Sequence, residues 1–136
     1  MEAICGILGR RDADALDAMI AALRARKEAT HKDIAENYAV AASHPLDGLC
    51  LLDGAPRVKT IANLSPYCAE SSRSSSLDIK GPFASAVGLD SGVRWWLMRD
   101  RLGQRPLYYF HGNGFLAFAS ELKALLASSL VPKRLN

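Results

Sequence analysis

The sequence has no long apolar run and few cysteines, and each shortage excludes a class of protein. No stretch reaches the length that a helix needs to span a membrane, and the N-terminus lacks the charged start, apolar run and cleavage site of a signal peptide. The chain has three cysteines, Cys5, Cys50 and Cys68. Their odd number argues against a disulfide framework, and their spacing is not that of metal ligands. These absences predict a cytoplasmic protein with free thiols and no membrane contact.

An excess of either charge is also missing. The net charge is +3, and the basic residues are scattered along the chain, whereas a nucleic-acid-binding domain concentrates them on one face. The basic run Arg24, Arg26 and Lys27 falls at the end of a predicted helix, where it complements the negative end of the helix dipole. The sequence therefore predicts no nucleic-acid partner.

Signals for a metal or a cofactor are missing as well. His31, His44 and His111 are dispersed, and none has metal-ligand spacing with a cysteine or a carboxylate. The turn at residues 112–114 is followed by no Lys-Ser/Thr pair, so it is not a phosphate loop. No ATP-binding motif of the pyrophosphatase type occurs. We expect no metal and no cofactor.

The sequence contains enough apolar residues to form one domain with a hydrophobic core, since 49% of its 136 residues are hydrophobic. Residues 4–9 are typical of a short buried strand. Residues 12–28 are predicted as a helix, with Asp12 or Asp14 as its N-cap. The apolar side chains that fall on one face of this helix are Leu16, Met19, Ile20 and Leu23.

The rest of the chain alternates strands and turns. Short strands are predicted over residues 38–42 and 49–52, with Asp53-Gly54 as a turn, and residues 70–76 form a polar loop. Two hairpins and a closing helix follow, the helix capped by Ser120 and burying Leu122, Leu125 and Leu126. The first hairpin is predicted over residues 83–89 and 93–98, with Asp90-Ser91-Gly92 as its turn, and the second over residues 107–110 and 115–119, with residues 111–114 between them. This order favours an α+β layered domain.

Five segments then match one family in order. Residues 99–109 (RDRLGQRPLYY) resemble the "RDRLGxKPLYY" signature of asparagine synthetases, and residues 118–125 (FASELKAL) are similar to its "FASEIKAL". Residues 5–9 (CGILG) match the "CGIxG" that opens class II glutamine amidotransferases, while residues 81–86 and 131–136 resemble a "GxFAFA" strand and an exit linker. The signature residues are Arg99, Asp100, Arg101, Gly103, Pro106, Tyr108, Ser120, Glu121 and Lys123.

The resemblance implies a fold, a domain division and a reaction. The fold is the N-terminal-nucleophile hydrolase sandwich, an αββα arrangement of antiparallel sheets, here truncated in the middle. Residues 1–128 would form the glutamine amidotransferase type 2-like domain, and residues 129–136 would resemble the exit linker towards a synthetase domain. The reaction is the release of ammonia from glutamine.

The resemblance also implies that Cys5 is the nucleophile, but only under one condition. In this family the cysteine is the first residue, and its free α-amine is the general base that activates its thiol. Cys5 follows Met1, Glu2, Ala3 and Ile4. Cleavage after Ile4 would supply the amine, whereas an uncleaved Cys5 is a small buried residue at the start of a strand.

The family's substrate-binding segments are altered or missing. The family has an arginine that binds the carboxylate of glutamine, and two alignments place its position at Pro45 or at Val58. We prefer the second alignment, in which the neighbouring Arg57 is the candidate for binding the carboxylate. Residues 66–81 are too few for the family's "NGEIYNY" oxyanion segment and its "SDTE" amine-binding segment. Asp53-Gly54 is the nearest match to Asn-Gly, and a carboxylate there would repel an oxyanion. Loss of one oxyanion donor costs about 100- to 1,000-fold in turnover.

Three hypotheses follow from the sequence. In the first, the chain is a catalytically degenerate glutaminase-like domain that binds a synthetase-type protein or a second copy of itself. In the second, it is an active glutaminase subunit, with glutamine as substrate, after removal of residues 1–4. In the third, it is a fragment without an independent role. We favour the first, because the hallmark segments are intact while the substrate pocket is not.

Overall fold

The computed structural model describes residues 3–23, 31–43, 49–54, 83–89, 91–100, 103 and 105–132, with residues 50 and 52–54 described by their backbone alone. This part of the chain forms eight strands, with one helix after the first strand and one after the last. They are β1 (Ile4–Leu8), α1 (Ala13–Ala22), β2 (His31–Ala35), β3 (Tyr38–Ala42), β4 (Cys50–Gly54), β5 (Phe83–Leu89), β6 (Arg94–Arg99), β7 (Tyr108–Gly112), β8 (Phe115–Ala119) and α2 (Leu122–Ala127).

The strands form two antiparallel sheets. Sheet A has the order β2-β3-β1-β8-β7, and sheet B has the order β4-β5-β6. β1 lies at the centre of sheet A, since it pairs with β3 on one side and with β8, near the other end of the chain, on the other. The predicted α+β class with antiparallel sheets is therefore confirmed.

One face of sheet A packs against the two helices. Successive side chains of a strand point to opposite faces, so Cys5 and Ile7 share this side. They pack with Leu16 and Met19 of α1 and with Leu125 of α2. The sheet residues between them are small, which lets the helices approach closely. These small residues are Ala39, Ala41, Ala117 and Ala119.

The other face of sheet A packs against sheet B. Ile4, Leu8 and Phe118 belong to this second core, together with Leu51 of β4 and Ala86 of β5. β4 lies against β1 and β3, which places sheet B over the centre of sheet A. β1 is therefore buried on both faces, and all five of its residues are shielded from solvent.

The helix prediction is confirmed at its start and wrong at its end. Asp12 caps α1, its Oδ1 accepting a hydrogen bond of 3.1 Å from the Ala15 amide, and the predicted apolar face is buried at Leu16 and Met19. The sequence predicts a helix that reaches residue 28, but α1 ends at Ala22. Leu23 turns to extended backbone (φ −71°, ψ 138°) and is buried in the core. The basic run after it lies outside the described residues.

The structure corrects the strand prediction in two places. The sequence predicts a turn at Asp53 and Gly54, but they are the last residues of β4 and pair with Ala84 and Phe83 of β5. β2 is not predicted from the sequence. Its residues are only partly buried, and an edge strand that carries Lys32 lacks the apolar pattern of a core strand.

Both predicted hairpins are confirmed. β5 pairs with β6 across a turn in which Ser91 and Gly92 have positive φ (56° and 89°), and β7 pairs with β8 across a turn at Gly114 (φ 75°). In the closing helix, Leu125 is buried as predicted. Leu122 is 49% exposed, so its predicted burial is wrong.

Candidate functional site

Cys5 lies in the middle of the protein rather than at a surface. In sheet A it is directly opposite Ala41 of β3 and Ala119 of β8, and its side chain points into the helix-side core. Its side chain is fully buried. Burial raises the pKa of the Cys5 thiol from 9.0 to about 12, because the apolar surroundings disfavour a thiolate. At neutral pH the folded chain therefore holds Cys5 as a protonated thiol.

The two residues before Cys5 are held by the neighbouring strands. The Ala3 amide donates to Ser43 Oγ (2.9 Å) and the Ile4 amide donates to Ser120 Oγ (2.9 Å). The backbone completes the exchange, since Ser43 N donates to the Ala3 carbonyl (3.0 Å) and Ser120 N donates to the Ile4 carbonyl (2.9 Å). We call Ser43 and Ser120 the serine pair. Through it, the segment that precedes Cys5 is an integrated part of sheet A.

The role of Ser120 corrects the sequence prediction. The sequence predicts that Ser120 caps the closing helix, but the N-cap of α2 is Glu121, and its side chain makes no capping hydrogen bond. Ser120 instead directs its hydroxyl across to β1, 116 residues away in sequence. No local pattern identifies such a contact, because it depends on β8 lying beside β1.

Ser120→Ala is expected to lower the free energy of unfolding by about 1–3 kcal/mol, because the buried Ile4 amide loses its acceptor. Urea denaturation measures the loss. Ser43→Ala is the matched control: its hydrogen bond is only partly buried, so water replaces the hydroxyl and the loss is smaller. Ser120→Asp separates the two roles, since aspartate is a good helix cap but a costly charge in a buried site. Full stability of Ser120→Asp would contradict the burial of this side chain, and full stability of Ser120→Ala would contradict its contact with β1.

The signature residues at the end of β6 form a loop that carries the chain from sheet B to sheet A. The Arg99 guanidinium donates to the Gly103 and Arg105 carbonyls (both 2.9 Å). Asp100 is buried, and its Oδ1 accepts from the Arg105 amide (3.4 Å). Gly103 has φ 62°, and a Cβ at this position would lie 3.0 Å from the Arg99 side chain. These residues hold one another, which is a structural reason for their presence.

The remaining signature residues are dispersed around this loop. Tyr108 lies in the same row of sheet A as Cys5, separated from it by Ala119. Pro106 and Lys123 are exposed, and Glu121 is the N-cap of α2, where its carbonyl accepts from the Ala124 amide (3.1 Å). Arg101 and Arg57, the candidate for the substrate carboxylate, lie outside the described residues, as does the turn's Asp90.

The described residues contain no group of three or more His, Cys, Asp or Glu side chains arranged to hold a metal ion. No helix in this part of the chain is long and apolar enough to cross a membrane. The site therefore consists of a buried cysteine in a central strand, the serine pair beside it, and the self-contained loop of signature residues.

Comparison with known proteins identifies the family of this chain. The sequence model of a family described as a glutamine amidotransferase domain matches residues 59–127, half of the chain. The chain belongs to this family. The matched range includes the loop of signature residues, β7, β8 and α2.

One relative that this chain matches is an asparagine synthetase. A segment of 59 residues, 43% of this chain, is 37% identical to asparagine synthetase [glutamine-hydrolyzing] 2 of Bacillus subtilis (strain 168). The matched segment covers 8% of that protein's length. The sequence resemblance to the glutamine amidotransferase domain of asparagine synthetases is thereby confirmed.

Proposed function

We propose that this chain is an asparagine synthetase-related glutamine amidotransferase-like domain that is catalytically degenerate and acts in binding or assembly, in the cytoplasm. The burial of Cys5 in the central strand of sheet A carries the proposal. A nucleophilic cysteine needs a thiolate, an adjacent base and access to substrate. Cys5 is protonated at neutral pH, is joined to Ile4 by a peptide bond, and is fully buried.

The proposal includes the fold and the domain division. Sheets A and B, facing each other with α1 and α2 outside sheet A, are consistent with an N-terminal-nucleophile hydrolase sandwich that is shortened in the middle. The end of α2 at Ala127, followed by Ser129 with φ 63°, supports a boundary after residue 128. Leu130 and Val131 still pack against the helix-side core, so the first residues of the proposed linker stay on the domain.

The alternative is an active glutaminase that uses Cys5 after removal of residues 1–4. In the described fold the Ile4–Cys5 bond lies inside sheet A, between β3 and β8. Its cleavage would remove the two amides that the serine pair holds and the Ile4 side chain that fills the inter-sheet core. These contacts favour retention of the segment and a structural role for Cys5.

The expected result with glutamine is no release of glutamate above that of Cys5→Ala. The assay compares the full chain, Cys5→Ala, and a chain cut after Ile4 by a specific protease from an N-terminal fusion. Turnover by the full or the cut chain that Cys5→Ala abolishes would overturn the proposal. The cut chain matters because it supplies the free α-amine that the full chain lacks.

Alkylation of Cys5 gives an independent readout of its environment. At pH 8, iodoacetamide should modify Cys5 only in denaturant, since the thiol is buried and its pKa is about 12 in the folded chain. Peptide mapping by mass spectrometry follows Cys5 separately from Cys50 and Cys68. Rapid modification of Cys5 in the native chain would show an accessible thiolate and contradict a structural role.

A further inference from the structure

β7 is an edge strand of sheet A that faces solvent with aromatic side chains. Within the described residues it pairs only with β8. Tyr109 is 66% exposed and Tyr108 is 40% exposed, on opposite faces of the sheet, and His111 is exposed beside them. Four large hydrophobic side chains are exposed in the described part of the chain. Two of them, Tyr108 and Tyr109, lie on β7, and a third, Leu122, lies on the adjoining helix α2.

The two edges of sheet A differ in how they are protected. An edge strand presents unpaired N–H and C=O groups, and proteins discourage further pairing with charged side chains or proline on it. β2, the other edge, contains Lys32 and Asp33, and the Lys32 ammonium is paired with Asp17 of α1 (3.2 Å). β7 contains no lysine, arginine, carboxylate or proline. Its edge thus lacks these devices against pairing with another strand.

We propose that β7 pairs antiparallel with β7 of a second copy of this chain, which joins two sheets A into one continuous sheet. The inference rests on the proposed assembly role and names its partner. The sequence of β7, Tyr-Tyr-Phe-His-Gly, fits a two-fold axis through Phe110. Tyr109 then lies opposite His111 of the second copy, and the reverse, so each copy supplies the same surface.

The side chains brought together by this pairing are compatible. Tyr109 and His111 are two residues apart and therefore share one face of the strand. Each cross-strand pair on this face joins the ring of Tyr109 in one copy to the ring of His111 in the other. No lysine, arginine or carboxylate on β7 faces a like charge. On the opposite face, Tyr108 lies across from Gly112, which leaves room for its ring. The exposed Leu122 on the same side extends the apolar area that the second copy would cover.

Two double variants test the pairing and its register. Tyr109→Lys with His111→Lys places like charges opposite each other twice, whereas Tyr109→Lys with His111→Glu places opposite charges there. Both positions are exposed, so neither change removes core packing. Val93→Lys, at another exposed apolar position (71%), is the control. Sedimentation equilibrium over a range of protein concentrations measures the dissociation constant of each.

We expect the wild type, Val93→Lys and the Lys/Glu variant to form dimers, and the Lys/Lys variant to dissociate at least about tenfold more readily than the Lys/Glu variant. The difference between the two double variants should shrink in 1 M salt, since salt screens exposed charges. Far-ultraviolet circular dichroism establishes that both variants are folded.

Three outcomes would overturn the inference. A wild type that is monomeric at all concentrations excludes self-pairing and leaves a separate synthetase-type protein as the partner. Equal dimerisation of the two double variants places the contact away from β7. Dissociation of both excludes the register centred on Phe110. None of these depends on glutamate release, so failure of this inference and failure of the proposed function are seen in different experiments.

Discussion

Gly92→Ala is expected to lower the free energy of unfolding by about 3 kcal/mol, the sum of backbone strain and overpacking. Gly92 lies in the β5–β6 turn with φ 89°, a conformation that strains any residue with a side chain. A Cβ there would also lie 2.4 Å from the ring of Tyr38. Tyr38 is on β3, so the added methyl would separate the tip of sheet B from sheet A.

The surroundings of Gly92 leave little room for adjustment. Its carbonyl accepts hydrogen bonds from Trp95 Nε1 (2.8 Å) and Asn37 Nδ2 (3.4 Å). The Trp95 ring packs edge-on against Tyr38, with 5.5 Å between ring centroids. A shift of the turn would break these hydrogen bonds, and a shift of Tyr38 would break the ring contact.

Urea denaturation gives the stability of Gly92→Ala, and near-ultraviolet circular dichroism reports on the packing of Tyr38 and Trp95. Gly114→Ala is the matched control, because Gly114 also has a positive φ (75°) but nothing lies within 4 Å of its Cβ position. It should lose only the strain, about 1–2 kcal/mol. Equal losses at the two glycines would show that the contact with Tyr38 costs nothing.

Gly6→Ala should lower the free energy of unfolding by about 2–3 kcal/mol through overpacking alone. Gly6 lies on the inter-sheet face of β1. A Cβ there would be 2.7 Å from Val40 Cγ1 and 2.8 Å from Phe118 Cε1, and both side chains are fully buried. Dense packing on both sides of the glycine leaves neither neighbour a free direction in which to move.

A double-mutant cycle with Val40→Ala tests this explanation for Gly6. Removing the Val40 methyls relieves the shorter contact, so Gly6→Ala should cost less in that background than in the wild type. Denaturation of the four proteins gives the coupling energy. Additive losses would mean that the methyl at position 6 is accommodated without touching Val40.

These contacts give a structural reason for the presence of two motif-like segments in a chain whose cysteine is buried. In the opening CGIxG segment, Gly6 is needed because Val40 and Phe118 approach its Cα. In the loop of signature residues, Arg99 and Asp100 hold the crossing between the two sheets. Both motifs serve the fold whether or not ammonia is released.

The sequence by itself determined the features that depend on neighbouring residues. The helical spacing of the apolar residues, which include Leu16 and Met19, predicted the buried face of α1, and Asp12 marked its start. Turn residues such as Gly92 marked the hairpins. These signals are readable because the interacting residues lie within a few positions of each other along the chain.

The tertiary structure alone decided the features that join distant segments. The placement of β1 between β3 and β8 buries Cys5, and this burial raises the pKa of its thiol. The strand residues opposite Cys5 lie more than thirty positions later in the sequence on β3 and more than a hundred positions later on β8. The same pairing turns Ser120 from an expected helix cap into an acceptor for Ile4. The motif around a cysteine can be recognised from adjacent residues, whereas the burial and charge of its thiol depend on which strands pair beside it.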